Sequence, residues 1–182
     1  MKQHLPLWYL GQLDPAICDL ASAQFKTIAT KDAVMGNTDT VTNHGFRNTS
    51  VCFADQNHWF GHLMNQHGLL ANKECGWNYD ITSHEAVQYG EYGVGQHYDW
   101  HTDTFMLAPG NYERKVSVVC LMNDPTEFEG GELLVRLYED YQAPLQKGTM
   151  IAFPSIVYHK VTEVTSGLRY SAVMWLGGPR FK

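Results

Sequence analysis

Apolar residues in the first third of the chain recur at helical spacing, whereas in the second half they alternate or run in short blocks between glycines. At Leu13-Asp14-Pro15, an aspartate able to cap and a proline suited to a first helical position precede Ile17, Leu20, Ala21 and Phe25. This predicts a helix with one apolar face. A second helix is predicted from about Gln56, capped by Asp55, with Trp59, Phe60, Leu63 and Met64 as its stripe and Gly68 as its end. Between them, Val51 and Phe53 alternate within residues 47–53, the pattern of a strand on a sheet edge.

From Glu85 the period changes. Strand-like runs occupy residues 86–92, 116–122, 132–137, 149–153, 156–164 and 169–176. Gly93, Gly95, Pro109-Gly110, Gly130-Gly131, Gly148 and Gly167 stand in the gaps, as tight connections between antiparallel strands require. Many short strands without intervening helices predict a sandwich or jelly roll, with the N-terminal helices packed on the outside of the sheet. A length of 182 residues suits one domain, divided near Ile81 into a helical support (1–80) and a strand-rich part (81–182). No repeat or Pro-, Gly- or Ser-rich linker separates the two.

Composition narrows the function classes. The chain has 13 Lys+Arg against 19 Asp+Glu, a formal net charge of -6, and no basic stripe to neutralise a row of phosphates, so nucleic acid is not expected as a partner. No apolar run is long enough to span a bilayer, and the N-terminus has a proline and polar residues where a secretory leader needs apolar ones, so no membrane association is expected. Cys18, Cys52, Cys75 and Cys120 are scattered and form no C-x-x-C pair, which fits a reducing, cytoplasmic setting.

Candidate chemistry begins at residues 96–103, where two His-x-Asp triplets, His97-Tyr98-Asp99 and His101-Thr102-Asp103, lie four residues apart. On a strand, residues two apart project to one face, so either triplet could offer an imidazole nitrogen and a carboxylate oxygen to one metal ion. A surface turn would show the same pattern. His159 changes the balance, because in a jelly roll a late strand can lie beside an early one and complete a two-histidine, one-carboxylate face with positions left open. Ten residues further on, Arg169 is a single cation inside an apolar strand. It needs an anion, either an Asp or Glu of the chain or the carboxylate of a ligand beside the metal.

These residues in this order resemble the prolyl-4-hydroxylase group of 2-oxoglutarate and iron(II)-dependent dioxygenases. Residues 92–103 fit the pattern Y-x-x-G-Q-x-Y-x-x-H-x-D, which selects His101 and Asp103 over His97 and Asp99. Gly130-Gly131-Glu132-Leu133, the run from Gly148 to Pro154, and Arg169 followed by Trp175 are further landmarks. Weaker similarity touches residues 13–18, 47–53 and 71–80. The resemblance implies a mainly β, α+β fold, a cupin-like double-stranded β-helix. It also implies Fe(II) held by His101, Asp103 and His159, with Arg169 on the distal carboxylate of 2-oxoglutarate, the Tyr92 hydroxyl on the same group and Tyr98 lining the site. The implied reaction consumes O2, yields succinate and carbon dioxide, can draw on ascorbate as a supporting reductant, and hydroxylates a peptide or protein residue or a small molecule. One position departs: Leu121 stands where many prolyl hydroxylases carry a second co-substrate tyrosine, which resembles the bacterial hydroxylase branch and leaves proline unassigned as the target.

Three other features belong to the same reading. The loop over residues 104–113 follows the first two ligands and is either a substrate lid or a permanently packed turn. His58 and His62 share a helix face, but no third zinc ligand is evident. A zinc or nickel cupin, for which Arg169 would be incidental, and a non-catalytic binding module are the rival functions.

Overall fold

Residues 6–33, 45–104 and 110–180 are described by a computed structural model. The early strands are β1 (Tyr9–Gln12), β2 (Lys31–Asp32), β3 (Arg47–Asn48), β4 (Ser50–Phe53) and β5 (Ser83–His84). There follow β6 (Gln88–Tyr92), β7 (His97–His101), β8 (Tyr112–Leu121), β9 (Phe128–Gly130) and β10 (Leu133–Arg136). The last five are β11 (Asp140–Gln142), β12 (Thr149–Pro154), β13 (Tyr158–Val161), β14 (Val164–Gly167) and β15 (Arg169–Pro179). Two helices, α1 (Pro15–Phe25) and α2 (Trp59–Glu74), complete the architecture.

The major sheet runs β1-β12-β8-β15-β6-β4-β2, with β5 also on β15; the minor sheet runs β11-β10-β13-β7-β3; β14 and β9 pair separately. This is the double-stranded β-helix. Alternation along the central strands sorts side chains into two cores. Val116, Val118 and Cys120 of β8, Met150 and Ala152 of β12, and Ala172, Met174 and Leu176 of β15 meet the helices. Residues of the other parity, including Val119, Leu121, Ile151 and Phe153, face Leu133, Val135 and Val161 of the minor sheet. The site lies in that inner layer.

Residues before Ile81 supply four strands as well as both helices, so the support region is built into both sheets. The 47–53 run divides: Arg47 and Asn48 pair with β7 of the minor sheet, while β4 pairs with β6 of the major sheet. The chain crosses between sheets at Thr49, and β4 lies inside β2 rather than on the edge. The predicted 156–164 run likewise divides into β13 and β14, and β15 extends to Pro179.

Helix α1 starts as expected, with the Asp14 side chain accepting from the Ala16 N–H at 2.9 Å. Its buried face is Cys18, Ala21, Ser22 and Phe25, and Leu20 is 64% exposed. Helix α2 begins later than predicted, capped by His58 rather than Asp55, whose carboxylate instead accepts from the Asn57 N–H. It also continues past Gly68. That glycine is a packing position: a Cβ there would come within 2.8 Å of Leu176 Cδ2 and 3.0 Å of Val118 Cγ2. Of the expected lid, residues 105–109 lie outside the described residues; Thr104 Oγ1 donates to Glu113 Oε1 across its ends. No helix among the described residues is long and apolar enough to cross a membrane.

Candidate metal and co-substrate site

Strands β7 and β13 are antiparallel neighbours, and His101 pairs in register with His159 while Tyr98 pairs with Val161. Between these two rungs, Asp99 and Trp100 on β7 therefore oppose Lys160 alone on β13. The extra residue is a β-bulge. It overrides simple alternation, so that Tyr98 and His101, three apart, both face the cavity, while Asp99 is exposed. Trp100 turns outward beneath Arg136 and Lys160, which lie 3.8 and 5.1 Å from its ring centroid. Among the described residues, His97 reaches the backbone carbonyls of Gly95 and Gly45. His97 and Asp99 thus take no part in the cluster that holds His101.

Beyond the end of β7, the Asp103 N–H donates to the Ser155 carbonyl at 2.8 Å, which brings the carboxylate back over the two histidines. Asp103 Oδ1 lies 3.7 Å from His101 Nε2, and Oδ2 lies 3.3 Å from His159 Nε2. One ligand atom from each of the three falls within 4.8 Å of the others. Each imidazole is oriented by the carbonyl two residues before it: His101 Nδ1 is 2.7 Å from the Asp99 carbonyl, and His159 Nδ1 is 3.0 Å from that of Val157. With Nδ1–H donating there, both Nε2 atoms are left to face Asp103. Ser117 Oγ donates to Asp103 Oδ2 at 2.7 Å and lies 3.0 Å from Ser155 Oγ. The Trp175 indole N–H helps to hold the carboxylate anionic, though outside ordinary hydrogen-bonding geometry.

Burial and charge act oppositely on this cluster. Burial would raise the Asp103 pKa, but the two histidines outweigh it and hold the carboxyl well below its usual range. Burial depresses His101, and the neighbouring His159 adds to this, so its pKa falls to about 3. At His159 burial is outweighed by the Asp103 carboxylate, and the pKa rises. The donor set, two neutral-capable imidazoles and one carboxylate on one side, fits a divalent ion with positions left open.

Arg169 is 2% exposed and shares the cavity with this cluster. Its register partner is Tyr92, whose ring centroid lies 5.2 Å from the guanidinium carbon. NH1 donates to Ser171 Oγ at 3.1 Å, while Nε is buried without a partner. Glu132 contributes to the electrostatics at Arg169, but its carboxylate accepts from Thr162 and does not come within ion-pair distance of the guanidinium. A buried cation left so is costly. Gly130 and Gly131 carry φ values of 72° and 66°, and a Cβ on Gly131 would lie 2.6 Å from Arg169 Cδ. The glycine pair therefore turns the chain and leaves room for the guanidinium stem.

Tyr98 stacks on His101 with centroids 3.4 Å apart and a 13° interplanar angle. Burial pushes its hydroxyl pKa up to about 12. Arg47, on β3, covers the other side of Tyr98 with its guanidinium carbon 4.5 Å from the ring centroid. Sequence reasoning missed Arg47 as a site residue, and also Ser117 and Ser155. Ser117 was detectable as a polar residue within the apolar β8 run, whereas Arg47 carried no signal beyond its charge. Leu121 lies with Val119 and Leu133 in an apolar recess beside Arg169. His58 and His62 are not brought together around a metal: His58 Nε2 lies 2.8 Å from Gln24 Oε1, and the His62 ring faces His84. The main cavity has a volume of about 470 Å³.

Comparison with known proteins agrees with this geometry. A family model described as the 2OG-Fe(II) oxygenase superfamily matches residues 87–177. A PKHD-type hydroxylase of Thermosynechococcus vestitus is 39% identical over 92 residues, which cover 48% of this chain and 41% of that relative. The match thus spans less than half the relative's length. Among solved structures, a Pseudomonas putida prolyl-4-hydroxylase superposes with a TM-score of 0.75 at 18% identity, covering 96% of this chain and 93% of its own. A Trichoplax adhaerens prolyl hydroxylase in complex with a hypoxia inducible factor peptide fragment gives 0.73 at 15% identity, covering 93% and 83%. At such identities the structural likeness speaks to the fold.

Proposed function

The chain belongs to the 2OG-Fe(II) oxygenase superfamily, and from that premise we propose that it is an Fe(II)- and 2-oxoglutarate-dependent dioxygenase of prolyl-4-hydroxylase type that hydroxylates a peptide or protein residue. His101 Nε2, His159 Nε2 and an Asp103 oxygen are the donors to the metal. The observation that carries the reading is Arg169, a buried guanidinium with an unpartnered Nε in the same cavity. A dicarboxylate held by the metal at one end supplies the missing anion at the other. A zinc or nickel cupin has no comparable use for this residue.

Iron(II) with 2-oxoglutarate and dioxygen supplies the oxidative chemistry: decarboxylation to succinate and carbon dioxide, coupled to hydroxylation of an unactivated carbon. The contribution of the chain is placement. Arg169 fixes the far end of the co-substrate, with the Tyr92 ring packed beside the guanidinium and its hydroxyl available to the same carboxylate. Val119 and Leu133 line the cavity that holds both Arg169 and the ligands. Ser117 and Ser155 hold Asp103, and the Asp99 and Val157 carbonyls hold the imidazoles. Tyr98 fixes the His101 ring by stacking and lines the substrate side. This apolar and aromatic lining excludes water from the reacting region. Ascorbate as a supporting reductant belongs to the same reading. A peptide substrate is supported by the bound fragment in the Trichoplax neighbour. A cytoplasmic setting accords with four free, buried cysteines.

Anaerobic addition of 2-oxoglutarate to the Fe(II)-loaded protein tests the proposal. A visible charge-transfer band is expected, followed under oxygen by succinate formation and a gain of one oxygen atom in a member of a peptide library. A protein that binds Fe(II) but develops no band and forms no succinate would overturn it.

A further inference from the structure

Two guanidinium groups line the cavity without a carboxylate partner among the described residues, and the co-substrate accounts for one of them. Arg169 sits opposite Tyr92 at one end of β6. Arg47 donates from NH2 to Gln88 Oε1 at 3.4 Å, at the other end of the same strand, and its Nε is buried without a partner. Gln88 and Tyr92 are four residues apart on one face, roughly 13 Å at strand rise. On the dioxygenase reading the metal site takes the near carboxylate of 2-oxoglutarate and Arg169 the distal one, so the co-substrate has no carboxylate left for Arg47.

The remaining cavity charges do not neutralise Arg47. Arg114, near the same end, is held bidentately by Glu85 at 2.5 and 2.6 Å and stacks 3.7 Å from the Trp175 ring centroid. Among the described residues, Asp103 is the single acidic residue lining the cavity, and it is committed to the histidines. The guanidinium carbon of Arg47 lies 4.5 Å from the Tyr98 ring centroid and Tyr98 lies flat on His101, so Arg47 is held over a ring that itself stacks on a metal ligand. Phe46 and Phe53 flank the same end with apolar surface. A preset, partly desolvated guanidinium with an unpartnered Nε–H and a weakly engaged NH2 is suited to an anion.

We propose that Arg47 is a specificity-determining residue that binds a carboxylate of the primary substrate, so that the molecule hydroxylated here is an acid whose apolar portion packs against Phe46 and Phe53. The inference rests on the dioxygenase reading and deepens it. It also locates recognition of an anion inside a chain whose overall charge is -6.

The test compares free amino acids with their carboxamides, and peptides ending in a free carboxylate with the same peptides amidated, at the Fe(II)-loaded protein with 2-oxoglutarate. Binding is read anaerobically by calorimetry, and turnover by succinate formed above the substrate-free background. Acids are expected to bind at least tenfold more tightly than their amides. Arg47→Gln should abolish that preference, and Arg47→Lys should restore part of it. A response to free amino acids places the carboxylate on a small molecule; a response to peptides alone places it at a chain end. Equal binding of acids and amides, no binding of either, or an unchanged preference in Arg47→Gln would overturn the proposal. Absence of any succinate or charge-transfer band in the wild-type protein would instead count against the dioxygenase reading, and calorimetry would still report on Arg47.

Discussion

His101 and His159 occupy one rung of an antiparallel strand pair, with their ring centroids 4.1 Å apart at an interplanar angle of 54°. The two imidazoles are positioned by sheet register and their own backbone hydrogen bonds, so the carboxylate is the member of the cluster that depends on a segment beyond the strand. Asp103→Ala should therefore lower Fe(II) affinity by about a hundredfold or more, at the upper end of what metal-site partners contribute. Asp99→Ala, altering an exposed carboxylate, should change it less than about threefold. Metal content after gel filtration distinguishes the two, and the reverse ranking would mean that the wrong triplet has been assigned.

Arg169→Ala should act on the co-substrate and spare the metal. Loss of one side of a desolvated ion pair costs about 2–5 kcal/mol, so the Kd for 2-oxoglutarate should rise by roughly thirtyfold or more. Fe(II) affinity should be unchanged. Arg169→Lys should recover charge without the fork and remain well short of wild type. Parallel titrations with each ligand separate these effects.

Gly131→Ala should resemble a mild form of the same defect. The added methyl meets Arg169 Cδ at 2.6 Å and requires a positive φ, so the guanidinium stem must shift. A rise in the KM for 2-oxoglutarate of about tenfold, with normal iron content, is expected from a displacement of this size. A substitution that lowered thermal stability but left KM untouched would show that the glycine serves the turn alone.

The pH response of the metal-free protein follows from His101. Its folded pKa of about 3 lies below the ordinary 6.5, so between these values the unfolded chain takes up a proton that the folded chain does not. Stability should fall as the pH drops through that window, by up to about 1.4 kcal/mol per unit from this group. His159, whose folded pKa is raised, has the opposite sign: its contribution is complete below 6.5 and is lost as the pH rises through its folded value. Urea unfolding in the presence of chelator, at pH 6.5 and 4.5, should show a smaller acid loss in His101→Asn than in wild type.

Much of the architecture was legible because it obeys local rules: the cap at Asp14 and the glycine-bounded strands. What escaped was set by neighbours distant in sequence. Gly68 reads as a helix end, yet its role is to admit Leu176 of the last strand. Alanine there should raise helix propensity by about 1 kcal/mol and overpack the core by about 1–3 kcal/mol, for a net loss near 1 kcal/mol in urea unfolding. The metal cluster and Arg169 were legible through spacing that resembles a known family. The support around them was less so: Ser117 shows only as a polar residue in the apolar β8 run, and an arginine at a sheet crossing has no spacing to betray it.

The bulge in β7 makes this stretch intolerant of changes in length rather than of changes in identity. Deleting one residue between Tyr98 and His101 would restore the simple two-residue alternation and turn either the tyrosine or the imidazole out to solvent, dismantling the site without altering any of its chemical groups. Swapping Asp99 or Trp100 for another residue leaves the geometry in place. Lineages of this fold that lose or gain a single codon here must find their metal ligand elsewhere or abandon the ion.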